Sequence, residues 1–344
     1  MHNNRWLCLA AACLSLWSAH AAADPAGCTA SASLDCYRSF QPTGAGGTLN
    51  YYASLAPGAA ATAGPMKALI AVHGHPRDAN KTFDAALRAV RNADALGDTL
   101  VVAPVFQVAA DKAGKCSTPG VPAAQPGDLL WTCGSWLEGG RAGEGEGGRI
   151  TSFAAMDALV TELTQRWPSL RTVTIAGFSA GAQMVQHYIG FAQNGGTVAV
   201  RYVVADPGTW LYFDPFRPQP TPDATACPAM NRWKYGTDDL PAHLGRSAAQ
   251  ARRQYAEADI SYLEGELDSN DARGTAYRVL DKSCAAAAQG PFRLQRGLAY
   301  AQYDRTLLAP AKRREVVVVP GCAHDVACVF PSEAARAALI GPPR

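Results

Sequence analysis

Seven short apolar runs punctuate the chain, and most of the segments between them carry apolar residues at helical spacing. The runs at 66–72, 99–104, 173–176, 200–205 and 315–320 are almost unbroken, the pattern of strands covered on both faces of a parallel sheet. Residues 49–53 read as an entry strand, and 260–268 as a strand that runs into a turn. Residues 83–95, 152–167, 183–189, 247–258 and 294–308 have the character of helices. This alternation predicts an α/β fold: a mostly parallel central sheet with helices on both faces.

Two stretches interrupt the alternation. From 106 to 150 regular periodicity disappears, and the segment holds Cys116, Trp131, Cys133, Trp136 and a run rich in glycine. A loop of that length inside a domain is usually functional, so we expect it to wall the active site. The second stretch, 207–245, holds six aromatics between Trp210 and Tyr235. They either line an apolar pocket or pack the insertion onto the domain. With these two insertions, residues 24–344 read as a single domain.

The strongest chemical signal sits at the end of the central run. Gly177-Phe178-Ser179-Ala180-Gly181 places a serine between glycines where a strand pattern turns into a helix pattern. So tight a reversal admits only small flanking residues. It leaves the hydroxyl standing clear of the sheet, over the positive end of the next helix. Ser179 is the candidate nucleophile; the competing reading is a glycine turn whose serine caps the helix. His73-Gly74-His75 closes the run at 66–72. Gly74 would let the backbone approach a substrate, so that the N–H groups of His75 and Ala180 form an oxyanion hole. The alternative is an ordinary glycine turn carrying two surface histidines.

Two further residues complete the set. Asp268 falls at the carboxyl end of its strand, and His324 in the loop after the last one. Asp206 also follows a strand end and competes with Asp268 as the acid. His187 and His243 read as non-catalytic, and His73 as support for its loop. No His-x-x-x-His pair or comparable ligand spacing occurs, so neither a metal nor a cofactor is expected.

Composition narrows the setting. The 344 residues are 48% hydrophobic, enough for a sizeable core, and a formal charge of +2 with dispersed Lys and Arg implies no nucleic-acid surface. Arg5, the apolar stretch 6–17 and the small residues before Asp24 predict a signal peptide over 1–23, hence a secreted or periplasmic protein. No later segment approaches the length of a membrane span. The eight cysteines beyond the leader are expected to form disulfides. By proximity they pair 28–36, 116–133 and 322–328, leaving 227–284.

On His73-Gly74, Gly177–Gly181, Gly265-Glu266-Leu267-Asp268 and Pro320-Gly321-Cys322-Ala323-His324, the chain resembles a secreted α/β-hydrolase of the serine esterase and polyester-depolymerase kind. The resemblance spans residues 66–340. It implies Ser179 as nucleophile, His324 as base and Asp268 as its orienting acid, acting on a small or polymeric ester. A serine peptidase or amidase on the same fold, and a non-catalytic binding module, are the alternative readings.

Overall fold

A computed structural model of the chain describes residues 28–55, 64–143, 150–194, 196, 198–220 and 226–341. The segment expected to be a signal peptide, 1–23, lies outside the described residues. The frame is an eight-stranded sheet of β1 (Tyr37–Phe40), β2 (Leu49–Ala53), β3 (Lys67–Val72), β4 (Thr99–Val105), β5 (Thr172–Phe178), β6 (Ala199–Ala205), β7 (Asp259–Gly265) and β8 (Val316–Val319). The strands lie in the order β1-β2-β4-β3-β5-β6-β7-β8. β2 pairs antiparallel with both β1 and β4, and all remaining pairings are parallel.

The unbroken apolar runs are strands because both faces of the sheet are covered, and the two-residue period sorts each run between two cores. Ala68, Ile70 and Val72 of β3 face one core; Leu69 and Ala71 face the other. The first core is closed by α2 (Ser152–Arg166), α3 (Ala180–Phe191), α4 (Ala248–Glu257) and α5 (Arg293–Tyr303), through side chains such as Leu159, Val185, Tyr255 and Tyr300. On the opposite face lie α1 (Ala79–Asn92) and the short helices Val326–Val329 and Arg336–Ile340. Among the described residues, no helix is long and apolar enough to cross a membrane.

The expected elements recur with shifted ends. α1 begins four residues before the apolar pattern does, because its first turn carries the polar Asn80 and Lys81. α5 stops at Tyr303, where a π turn over Asp304–Leu308 buries Asp304 against Arg314. β1 has no counterpart in the sequence reading. Its residues are only partly covered and are held by pairing with β2. Four disulfides join Cys28–Cys36, Cys116–Cys133, Cys227–Cys284 and Cys322–Cys328, the pairing expected from proximity.

The parallel register brings chemistry to one edge. Val72 pairs with Gly177, Phe178 with Ala205, and Val319 with Gly265. The residues that leave the carboxyl ends of β3, β5, β6, β7 and β8 therefore meet over the same rim of the sheet.

Candidate active site

Ser179 occupies the turn between β5 and α3 with φ 57° and ψ −121°, a left-handed conformation that side chains rarely adopt. Its neighbours hold it there. A Cβ on Gly177 would collide with the carbonyl of Gly181, and one on Gly181 with the carbonyl of Val72, so the turn closes only with glycine at both positions. The Ser179 N–H donates to the carbonyl of Ala205 at 3.0 Å, tying the turn to the neighbouring strand. Its Oγ stands 2.8 Å from His324 Nε2.

His324 and Asp268 come from adjacent loops that are bound to each other. The Gly321 N–H donates to the Glu266 carboxylate at 2.8 Å, and the Leu267 N–H to the Cys322 carbonyl at 2.8 Å. The His324 N–H donates to the carbonyl of Gly274 at 3.1 Å, and the Cys322–Cys328 bridge closes the loop on itself. The imidazole packs beside the Phe178 ring, centroids 4.8 Å apart. Its Nδ1 lies 2.7 Å from Asp268 Oδ2. An N–H on Nδ1 donating to this carboxylate leaves Nε2 free to accept the Ser179 proton, which defines the neutral tautomer. Burial pulls the imidazole below its usual pKa, the Asp268 bond opposes this, and the charge of Arg293 reinforces it. Arg293, at the start of α5, is itself 3% exposed and places Nη1 3.3 Å from Asp268 Oδ1 and 2.7 Å from the carbonyl of Thr275.

The loop after β3 forms the other wall. The Gly74 N–H donates to Asp78 Oδ1 at 2.9 Å, and a Cβ on Gly74 would stand 3.7 Å from Ser179 Cβ. Any side chain at this position would thus touch the serine. Among the described residues the His75 N–H has no hydrogen-bond partner, and the Ala180 N–H opens the first turn of α3, where amides lack intrahelical acceptors. A cleft of about 720 Å³ lies over Ser179, His324, Gly74 and His75 and continues along α1 past Lys81 and Arg88.

Neither a family model nor a curated protein sequence matches the chain. Solved structures do. The chain is similar to poly(aspartic acid) hydrolase-1 from Sphingomonas sp. KT-1, with 21% identity, a TM-score of 0.59, and 88% of this chain and 98% of that one covered. It is also similar to a poly(3-hydroxybutyrate) depolymerase from Bordetella parapertussis, at 18% identity and a TM-score of 0.56, covering 84% and 83% of the two chains. The chain has the α/β-hydrolase fold.

Within this fold, the two aspartates that compete as the acid have different partners. Asp268, not Asp206, hydrogen-bonds His324; Asp206 Oδ1 instead accepts from the Gly265 N–H at 2.8 Å. Asp206, Asp268 and His324 do gather their carboxylate and ring atoms within 4.8 Å of one another, the one group among the described residues spaced to hold a cation. His73 is buried, its pKa pressed down to about 4 by burial, and its Nε2 accepts from the Phe106 N–H. His187 is buried between the carbonyls of Gln183 and Lys234, and His243 reaches the carbonyl of Gly139. None of these three faces Ser179.

The insertions divide their roles. The 106–150 segment reaches the cleft through Lys115, whereas Trp136 stacks on Phe106 in the core. The aromatics of the second insertion pack rather than line the cleft: Trp210 stacks on Tyr300 at 4.3 Å, and Tyr212 and Phe213 are buried. Two neighbours of the site escaped the sequence reading. Arg293 sits just ahead of an apolar helix pattern, and Glu264 inside a strand pattern, so neither carries a local signature. The one available signal was charge inside segments otherwise read as buried.

Proposed function

We propose that the protein is an exported serine hydrolase that cleaves carboxylic esters through an acyl-enzyme formed on Ser179. The observation that carries this reading is the continuous hydrogen-bonded line from Ser179 Oγ to His324 Nε2 at 2.8 Å and from His324 Nδ1 to Asp268 Oδ2 at 2.7 Å. Ser179 attacks the acyl carbonyl while His324 takes its proton. Asp268 keeps the imidazole in the required tautomer and stabilises its charged form. Negative charge develops on the carbonyl oxygen, which the N–H groups of His75 and Ala180 receive. Protonated His324 then gives its proton to the leaving alcohol. Water enters the vacated place, loses a proton to His324 and releases the acyl group.

The strained conformation of Ser179 supports this reading, since a left-handed serine flanked by obligatory glycines has no evident structural purpose. Export is supported by the leader pattern and by four disulfides, which persist in oxidising compartments. An oligomeric or polymeric substrate is supported by a cleft that continues beyond the serine along α1, and by the likeness to two enzymes named for polymers. A second reading, amide hydrolysis by the same residues, is favoured by one of those names, since poly(aspartic acid) is joined by amide bonds.

A fluorophosphonate label followed by peptide mapping tests the class of mechanism before any substrate is known. The expected adduct is on Ser179, absent from Ser179→Ala. p-Nitrophenyl esters set against matched anilides then separate ester from amide preference. Labelling elsewhere, or an unimpaired Ser179→Ala, eliminates the proposal.

A further inference from the structure

Behind Asp268 lies a pair of buried carboxyl groups that the reaction above does not use. Asp206, at the end of β6, and Glu264, on β7, are both 0% exposed. Asp206 is held at φ 51°, left-handed like Ser179. Its Oδ1 accepts from the Gly265 N–H, but its Oδ2 and both oxygens of Glu264 meet no donor among the described residues. The register that pairs Ala205 with Leu263, continued by the Asp206 N–H donating to the Leu263 carbonyl at 3.1 Å, sets Asp206 beside Glu264 on the adjoining strand, where a proton can bridge the two carboxyls. Two ionised carboxylates cannot form such a bond, and three unsatisfied buried oxygens carry a large desolvation cost. One proton between the groups permits the bond and engages two of the three oxygens.

The fold makes room for this arrangement. A Cβ on Gly297 of α5 would collide with the Glu264 carboxyl, so the helix approaches only because that position is glycine. The charged groups facing the pair are few. Asp268 repels both members from the adjoining loop, and Arg293 attracts both from α5. His324 faces Asp206 from the loop after β8, inside the same 4.8 Å cluster.

We propose that Glu264 and Asp206 share one buried proton, carried by Glu264, and that ionised Asp206 is a positioning residue whose charge supports the imidazolium of His324 from behind Asp268. Glu264 is the proton carrier because Asp206 already accepts an N–H, whereas Glu264 has no donor of its own. Burial raises both groups, Glu264 well above the carboxylate range and Asp206 to about 7. The pair therefore loses its first proton from Asp206 while Glu264 keeps the other, and acidification returns the first and switches the added charge off. The shared proton is independent of the serine-hydrolase reading; its effect on turnover rests on that reading.

Two measurements on the intact protein keep the parts distinguishable. The first is an infrared difference spectrum of wild type against Glu264→Gln in mild alkali. A band from an un-ionised carboxylic acid, lost in the variant, is expected whether or not a substrate is ever found. Its absence overturns the proposal, as does a stoichiometric metal ion in the purified protein, since a cation would then neutralise the oxygens instead.

The second is the pH profile of kcat. Beyond the limb of His324, wild type should show a further rise near pH 7. Asp206→Asn should abolish that rise and lower alkaline kcat about tenfold with KM unchanged, because residue 206 does not line the cleft. Glu264→Gln supplies an amide donor in place of the carboxylic acid and should retain the rise, whereas Glu264→Leu should move it to higher pH. Should the leucine variant not fold, the asparagine and glutamine variants decide alone. An Asp206→Asn profile that keeps the rise, or a Glu264→Gln variant lacking it, overturns the role in turnover.

Discussion

Gly265 and Cys322 approach so closely that a Cβ on the glycine would stand 2.7 Å from the cysteine carbonyl oxygen. This contact carries no chemistry, yet it seats the loop of Asp268 against the loop of His324. Gly265→Ala must push the two loops apart, and an overpacked site of this kind costs about 1–3 kcal/mol. The expected signature is a loss of kcat larger than the loss of stability explains, read by kinetics beside thermal unfolding. An alanine variant with full turnover would show that the contact is incidental.

Asp268→Asn leaves the shape of the site intact but invites the wrong imidazole tautomer. For a residue in this role the expected fall in kcat is about 10⁴-fold. Asp206→Asn should cost far less. Equal losses in the two variants, compared on one substrate, would contradict the assignment of Asp268 as the direct partner of His324.

The acid limb of kcat/KM follows from the environment of His324. As the proposed base, His324 must be neutral, and burial holds its pKa below the 6.5 of a free imidazole, so activity should persist to lower pH than an exposed histidine would allow. The Arg293 charge contributes to that depression. In Arg293→Gln the limb should therefore move toward higher pH. The variant also leaves buried Asp268 without its cation, which costs about 3–5 kcal/mol. A limb that stays in place, measured on folded protein, would remove Arg293 from the account.

The disulfides should separate stability from activity. Cys227–Cys284 spans 57 residues and Cys322–Cys328 only 6. Chain entropy predicts losses of about 4 and about 2 kcal/mol respectively on replacing each pair with alanine. Activity should reverse the ranking, because only the second bridge closes the loop that carries His324. Denaturant unfolding and kinetics on the same two variants provide the comparison.

Acid stability has a defined sign. His73 is buried with a folded pKa of about 4, against 6.5 when unfolded. The unfolded chain binds more protons between these values. Its contribution is therefore complete above pH 6.5 and is lost as pH falls toward 4. NMR titration should find the His73 ring neutral at pH 5.5, since its Nε2 accepts the Phe106 N–H; a ring charged there would contradict its buried setting.

The sequence alone determined what is local. Unbroken apolar runs specified strands covered on both faces. A serine between two glycines, at the change from strand to helix spacing, specified a turn that no other residues close. A histidine after the last strand completed the candidate set in its order along the chain. Tertiary structure decided everything that depends on which side chains meet. It brought Asp268 rather than Asp206 to His324, buried the aromatics of the second insertion, and set Arg293 and Glu264 beside the site. These choices lie outside any sequence window, because both aspartates follow strand ends and differ in how their loops are packed. A hydrogen bond between residues 145 positions apart, such as Ser179 to His324, is fixed by sheet register and loop contacts. Apolar periodicity records which face of an element is covered. It does not record which partner covers it.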